Sequence, residues 1–182
     1  MPKAVFLDRD GVINRAIVRD GKPYPPVSIA EIEILSNVLE ALTALHIAGY
    51  MLIVVTNQPD VARGKLSKET VERIHEHIAN ILPIDEFYTC YHDDKDLCNC
   101  RKPLPGLLIN AANKFGIDFE KSYMIGDRWR DIGAGQNAGC KTIFIDYCYN
   151  ERRPDSFDYR VASLAEAANI ILEAENEHDR KI

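Results

Sequence analysis

The apolar run Ala4-Val5-Phe6-Leu7 breaks directly into Asp8-Arg9-Asp10-Gly11, and this junction restricts the fold more than any other stretch of the chain. A strand with one wet face alternates apolar and polar residues. A continuous apolar run is instead expected of a parallel strand covered on both faces. Acids at the carboxyl end of such a strand fall where open α/β sheets bind ligands. Two carboxylates two residues apart can leave the strand on one side. One can attack an electrophile while the other moves a proton, with a hard cation offsetting their charge. Taken alone, the same four residues also fit a strand followed by an acidic turn.

The rest of the chain continues the alternation. The pattern places strands over residues 3–8, 50–55, 86–91, 122–125 and 141–145. Between them it places helices over about 36–48, 67–81, 107–115 and 131–138, with Ser67 as a cap and Gly49, Gly116 and Gly139 as stops. Ser163-Leu164-Ala165-Glu166 is a capping box that opens a last helix. Residues 9–35, with Pro23, Pro25 and Pro26, read as a long polar connection. The predicted fold is α/β, a Rossmann-like, mainly parallel sheet with helices on both faces. One domain is expected over 1–175, followed by a polar tail over 176–182 that is expected to fray. No segment is long enough for a large cap domain, so loops are expected to select the ligand.

A chain of 182 residues suits one filled core. A net charge of −6 argues against a general nucleic-acid binder but leaves room for a locally basic pocket. No export signal and no membrane-length apolar run is visible, so the expected location is the cytoplasm, with no membrane partner. Three of the five cysteines lie within eleven residues, beside a histidine. In a chain without an export signal this favours a metal over disulfides. Cys90, His92, Cys98 and Cys100 supply three thiolates and one imidazole, a closed tetrahedral Zn²⁺ set with no open position for catalysis. Cys140 and Cys148 read as ordinary thiols, and His46, His75, His77 and His178 as isolated rings without a catalytic role.

Three further groups end apolar strands or follow the cysteine cluster. Thr56 and Asn57 place a hydroxyl and an amide where they can donate to a phosphoryl oxygen, or merely cap a strand. Gly126-Asp127 brings a third carboxylate to the same edge, and three converging acids require a cation, for which Mg²⁺ is the natural candidate. Asp131 either orients this loop or only begins the next helix. Arg101 and Lys102 can hold a second anionic group and offset charge on a transferring phosphoryl group.

In order and spacing, Asp8-x-Asp10, Thr56, Lys102 and Gly126-Asp127 resemble the haloacid dehalogenase superfamily of aspartate-nucleophile phosphatases. Asp-Arg-Asp-Gly, Thr-Asn-Gln, Ala62-Arg63-Gly64, the Cys-x-His and Cys-x-Cys pairs and Cys-Arg-Lys-Pro resemble one branch of it. That branch contains the D-glycero-D-manno-heptose 1,7-bisphosphate phosphatases and the histidinol-phosphate phosphatases. The resemblance spans residues 4–172. It implies a phosphomonoester hydrolase with Asp8 as nucleophile and Asp10 as proton carrier. Mg²⁺ would sit on Asp8, the Asp10 main-chain carbonyl and Asp127. Thr56 and Lys102 would stabilise the phosphoryl group, and Asn57, Arg101 and Arg128 would contact substrate. The implied partner is a small phosphorylated substrate, a sugar bisphosphate, acted on by a monomer. Histidinol phosphate or another small sugar phosphate is the alternative, and a non-enzymatic zinc-knuckle interaction module is the rival of another class. Two departures bear on substrate: Pro59-Asp60 stands where many heptose phosphatases have Ser-Gly, and the connection after Asn14 is longer than the branch pattern.

Overall fold

The computed structural model describes residues 1–179. Among these residues, eight strands and five α-helices follow one another. They are β1 (Lys3–Leu7), β2 (Ile17–Arg19), β3 (Lys22–Tyr24), α1 (Val38–Ile47), β4 (Tyr50–Asn57), α2 (Lys68–Ala79), β5 (Glu86–Cys90) and α3 (Gly106–Phe115). Then come β6 (Tyr123–Gly126), α4 (Trp129–Ala138), β7 (Lys141–Ile145), β8 (Tyr159–Val161) and α5 (Leu164–Asp179). Six strands form one sheet in the order β5-β4-β1-β6-β7-β8, and every pairing in it is parallel.

The continuous apolar runs follow from two buried faces. Val5 and Leu7 of β1 join Leu52, Val54 and Ile125 beneath α1, α2 and α5, which contribute Leu42, Leu45, Ile74, Ile78 and Ile171. Ala4 and Phe6 face the other way and join Ile53, Val55 and Met124 against α3 and α4, through Leu107, Leu108, Ala111 and Ala134. Alternate residues of one strand thus enter separate cores, and neither face leaves room for polar alternation. β1 is central. From it the chain builds β4 and β5 on one side and then β6, β7 and β8 on the other. Its carboxyl end is therefore the switch point at which neighbouring connections diverge and leave a crevice. The ladder continues one residue beyond β1, where the Asp8 N–H donates to Ile125 O at 3.0 Å.

Two elements differ from the sequence expectation. The connection over 9–35 contains the antiparallel hairpin β2–β3, in which Val18 pairs with Pro23. Its turn is Asp20-Gly21, both at positive φ (51° and 73°), the backbone that a two-residue hairpin loop demands. Pro23 argued against a strand, but on a two-stranded ribbon its missing N–H need not face a partner. The sixth sheet strand, β8, has only three residues and pairs with β7 through Tyr159 and Ile143, too few for any periodicity to register. Smaller shifts affect helix starts: α1 begins at Val38 behind Asn37, whose φ is 61°, and α4 begins at Trp129. Ser67 caps α2 as expected, its side chain accepting from Thr70 N. At α5, Ser163 accepts from Glu166 N at 3.2 Å, while the Glu166 carboxylate reaches the Ala162 N–H at 2.8 Å, one residue beyond the usual capping-box partner. α5 runs on to Asp179, and the remainder of the 176–182 segment lies outside the described residues. No described helix is long and apolar enough to cross a membrane.

Candidate active site

The carboxyl ends of β1, β4 and β6 and the loop after Cys100 bring their polar residues to one place. At its centre is Lys102, 1% exposed. Its ammonium donates to Asp8 Oδ1 at 2.7 Å and to Val55 O at 2.7 Å, and lies 2.6 Å from Asp131 Oδ1. All three of its donors are thereby used. Burial alone would lower the Lys102 pKa, but Asp131 and Asp8 outweigh it and raise it. Asp131 also accepts from the Arg128 N–H at 3.0 Å, so of the two roles open to it the structure places it on the lysine as well as at the helix start.

Asp8, Asp127 and Asp131 are all buried, and each offers an oxygen within 4.8 Å of the others. Burial, then the Asp131 charge, pushes the Asp8 carboxyl up to about 7, with Lys102 opposing. Burial and the charges of Asp8 and Asp131 push Asp127 well above the usual carboxylate range, which Tyr149 and Arg128 only partly offset. Both Asp127 oxygens are buried without a hydrogen bond of ordinary geometry. Orphaned buried carboxylate oxygens are costly. A donor set of oxygens only, carrying excess negative charge, fits a small hard cation such as Mg²⁺. Gly11 permits the crowding: its φ is +92°, and a Cβ there would stand 2.0 Å from Asp127 Oδ2.

Asp10 is held separately. Arg9, fully buried, places Nε on its Oδ1 and Nη2 on its Oδ2, each at 3.1 Å. Asn14 Nδ2 and Gln58 Nε2 add bonds at 3.0 Å each. Gln58 Nε2 also donates to Thr56 Oγ1 at 3.0 Å, which ties the ends of β1 and β4 together. The remaining Arg9 nitrogen, Nη1, lies 3.1 Å from His75 Nε2. Burial, then the Arg9 charge, lowers the His75 pKa to about 3. An unfolded histidine takes its proton near pH 6.5, whereas this ring stays neutral until far lower. Its contribution is therefore complete above about pH 6.5 and is lost as pH falls toward 3, about 3 kcal/mol by pH 4. Denaturant unfolding between pH 7 and 4 should show a shallower acid loss in His75→Gln than in the parent; parallel curves would contradict the buried neutral ring.

The second cluster lies at the end of β5. Cys90 Sγ is 3.1 Å from Cys100 Sγ, 3.9 Å from Cys98 Sγ and 3.4 Å from His92 Nδ1, and His92 Nδ1 is 3.3 Å from Cys100 Sγ. A tetrahedral zinc site with ordinary metal–sulfur bonds spaces its donors by about 3.8 Å, so the four atoms already stand close to the edges of such a tetrahedron. Arg101 follows at once. Its Nη1 donates to His92 O at 3.2 Å and its Nε to Asp94 Oδ1 at 2.8 Å.

Asp8 and Asp131 border a cavity of about 250 Å³ with Asp10, Asn57, Arg101, Lys102 and Arg128 in its wall, and Asp127 is not among the residues that line it. Thr56 is 1% exposed and is not among the residues that line it. The Asn57 side chain is a lock as much as a wall: its Oδ1 accepts from Lys102 N at 3.1 Å and its Nδ2 donates to Lys102 O at 3.2 Å. Arg128 is paired with Glu151, Nε to Oε1 at 2.8 Å. Lys22, Arg63 and Arg130 also reach this cavity; the sequence marked Lys22 only as part of the long connection and Arg63 only as part of a motif, and it gave no role to Arg130. Lys22 belongs to the unforeseen hairpin, and Arg130, two residues after Arg128, shares Asp94 with Arg101. Arg9, Asn14 and Gln58 were missed as well, although the first lies between the two acids of Asp-Arg-Asp.

Comparison with known proteins places the chain. A family model described as HAD-hydrolase-like matches residues 99–167. The D-glycero-beta-D-manno-heptose-1,7-bisphosphate 7-phosphatase of Vibrio cholerae is 37% identical over 156 residues, 78% of this chain and 80% of the relative. The enzyme of the same description from Escherichia coli K12 is 36% identical over 154 residues, 77% of this chain and 78% of the relative. Among solved structures, the D,D-heptose 1,7-bisphosphate phosphatase of B. bronchiseptica, complexed with magnesium and phosphate, superposes with a TM-score of 0.81 at 29% identity. That match covers 94% of this chain and 99% of the other. The chain thus belongs to the haloacid-dehalogenase-like phosphatases, within the family of the heptose 1,7-bisphosphate 7-phosphatases.

Proposed function

We propose that this chain removes the 7-phosphate of D-glycero-D-manno-heptose 1,7-bisphosphate through an aspartyl-phosphate on Asp8. The observation that carries this reading is the cavity itself: Asp8 and Asp10 border it, and Lys22, Arg63, Arg101, Arg128 and Arg130 line it. Besides Lys102 the wall thus holds five cations, set beside Asp60, Asp94, Asp131 and Glu151, and cations that can exchange such carboxylates for phosphate suit a substrate with a phosphate at the reacting end and a second one away from it. The heptose bisphosphate phosphatases at 35–37% identity support the sugar.

In this reading Asp8 attacks phosphorus and the bond to the sugar oxygen breaks as the Asp10 carboxyl gives that oxygen its proton. Asp10, now a carboxylate, takes a proton from water, whose oxygen displaces Asp8 and releases phosphate. Lys102 holds Asp8 and sets its positive charge beside the transferring group, and Thr56 offers a hydroxyl. Asn57 fixes Lys102 through its backbone and keeps one amide N–H for substrate. Arg101 and Arg128 meet the second phosphate by exchanging Asp94 and Glu151 for it. Mg²⁺ on Asp8, Asp127 and the Asp10 main-chain carbonyl would offset charge on the phosphoryl oxygens. Zn²⁺ on Cys90, His92, Cys98 and Cys100 would hold Arg101 and Lys102 over the centre. The catalytic unit is taken as one domain over 1–175.

A second reading has one observation in its favour. Asp60, Asp94 and Glu151 also reach the cavity, and such carboxylates suit the ammonium of histidinol phosphate. Comparing kcat/KM for both heptose bisphosphate anomers, histidinol phosphate and monophosphorylated hexoses separates them. The heptose bisphosphate should lead by about a hundredfold or more, since a substrate with one phosphate forgoes the charge-assisted contacts of Arg101 and Arg128. A lead for histidinol phosphate would overturn the sugar while leaving the chemistry in place.

A further inference from the structure

We propose that His75 is a positioning residue for proton transfer: it fixes the guanidinium of Arg9, and Arg9 fixes the carboxyl of Asp10. The inference rests on the reading of Asp10 as the proton carrier and goes beyond it to residues on α2 and β5 that touch no substrate.

Arg9 is an unusual side chain to find fully buried. Three of its five N–H donors meet one carboxylate and one ring nitrogen: Nε and Nη2 meet Asp10 at 3.1 Å each, and Nη1 meets His75 Nε2 at 3.1 Å. A guanidinium only donates. His75 Nε2 is therefore the acceptor, which makes the ring neutral with its proton on Nδ1. The ring is itself held: Phe87 of β5 stacks on it at 4.6 Å between centroids and 16° between planes. The guanidinium is planar, so fixing Nη1 fixes the plane of the fork that grips Asp10.

Two consequences follow from this geometry. Without an acceptor at Nε2, a buried N–H of Arg9 loses its partner, and Arg9 will turn to find another. Asp10 then loses the orientation that a general acid needs, since proton transfer requires the donor within hydrogen-bond reach of the leaving oxygen. Loss of orientation affects substrates unequally. A sugar alkoxide cannot depart without a proton, whereas p-nitrophenolate is a stable anion that can.

The experiment therefore measures kcat/KM, which reports the steps up to leaving-group departure, for the best sugar phosphate of the panel above and for p-nitrophenyl phosphate. The readout is the ratio of the two. Asp10→Asn is the reference for a lost acid. His75→Phe keeps the aromatic face against Phe87 and removes the acceptor; it should lower the ratio by about tenfold or more, part of the loss a missing general acid produces. His75→Gln restores an acceptor near the Nε2 position and should bring the ratio back to within about threefold of the parent. Arg9→Lys keeps the charge but cannot reach Asp10 and His75 together, so it should lower the ratio even if His75→Phe fails to fold. A ratio unchanged in Arg9→Lys and in folded His75→Phe, while Asp10→Asn lowers it, overturns the positioning role and leaves Asp10 as the acid. A ratio unchanged in Asp10→Asn overturns the assignment of Asp10 and the inference with it.

Discussion

Asp8→Asn should lower phosphate release by more than about a thousandfold while the protein remains folded. An amide is a far weaker nucleophile than a carboxylate, and loss of a covalent nucleophile typically removes several orders of magnitude in kcat. The fold should survive for two reasons. The Asn oxygen can still accept from Lys102, which now donates to Asp8 Oδ1 at 2.7 Å. The substitution also removes one of three crowded carboxylates, Asp8, Asp127 and Asp131, whose repulsion adds to burial in raising the pKa of Asp8 and of Asp127. Without added Mg²⁺ the variant should melt no lower than the parent. Steady-state phosphate release and a thermal melt followed by circular dichroism are sufficient. A folded Asp8→Asn enzyme with substantial turnover would exclude Asp8 as the nucleophile.

Cys98→Ser should lose bound zinc and reduce kcat/KM by about tenfold or more, with the sheet intact. Apart from the cysteine cluster, the loop that carries Arg101 and Lys102 is tied by Lys102 Nζ to Asp8, Val55 O and Asp131, by Asn57 on the Lys102 backbone, by Arg101 on His92 O and Asp94, and by Asn137 on Pro103 O. The binding energy of a structural zinc is folding energy for the segment it closes. Its loss should free the loop to move Lys102 off Asp8, while Asp8, Asp10 and Asp127 stay on their own strand ends. Metal analysis of the purified protein, limited proteolysis across residues 91–105 and the kinetics test this together. Normal zinc content with normal kinetics would refute the assignment of the four ligands.

The two experiments touch different kinds of information in the chain. The acids of the first were legible because each follows an apolar run: Ala4–Leu7 before Asp8, Tyr123–Ile125 before Gly126-Asp127. A strand buried on both faces is apolar throughout, and the first charges beyond it necessarily mark the sheet edge. The cysteine cluster was legible for a similar reason, since its ligands lie within eleven residues and their spacing alone suits a tetrahedral site. The hairpin β2–β3 carried a signal, Asp20-Gly21 at positive φ, but neighbouring prolines obscured it. β8 carried none, because three residues have no period.

His75 shows where local reading stops. On sequence it was one of several isolated rings, and its spacing from His77 implied only different faces of α2. It lies 66 residues from Arg9, and the contact exists because α2 covers the face of the sheet below β1. Asn57 is a parallel case: a strand-end amide expected to meet substrate also clasps the backbone of Lys102, 45 residues on. Asp131 stood undecided between helix start and loop until Lys102 was found 2.6 Å from it.

The sequence by itself determined the parallel α/β sheet, the strand ends that carry Asp8, Asp10, Thr56 and Asp127, and four clustered donors able to hold a metal. These depend on short-range patterns of burial and spacing, which a chain displays before it folds. Only the tertiary structure decided which partner each charged group meets: Lys102 with Asp8 and Asp131, Arg9 between Asp10 and His75, Arg101 with Asp94, Arg128 with Glu151. The physical reason is that a buried charge takes whatever partner the packing of distant elements brings within about 3 Å, and no local pattern encodes that distance.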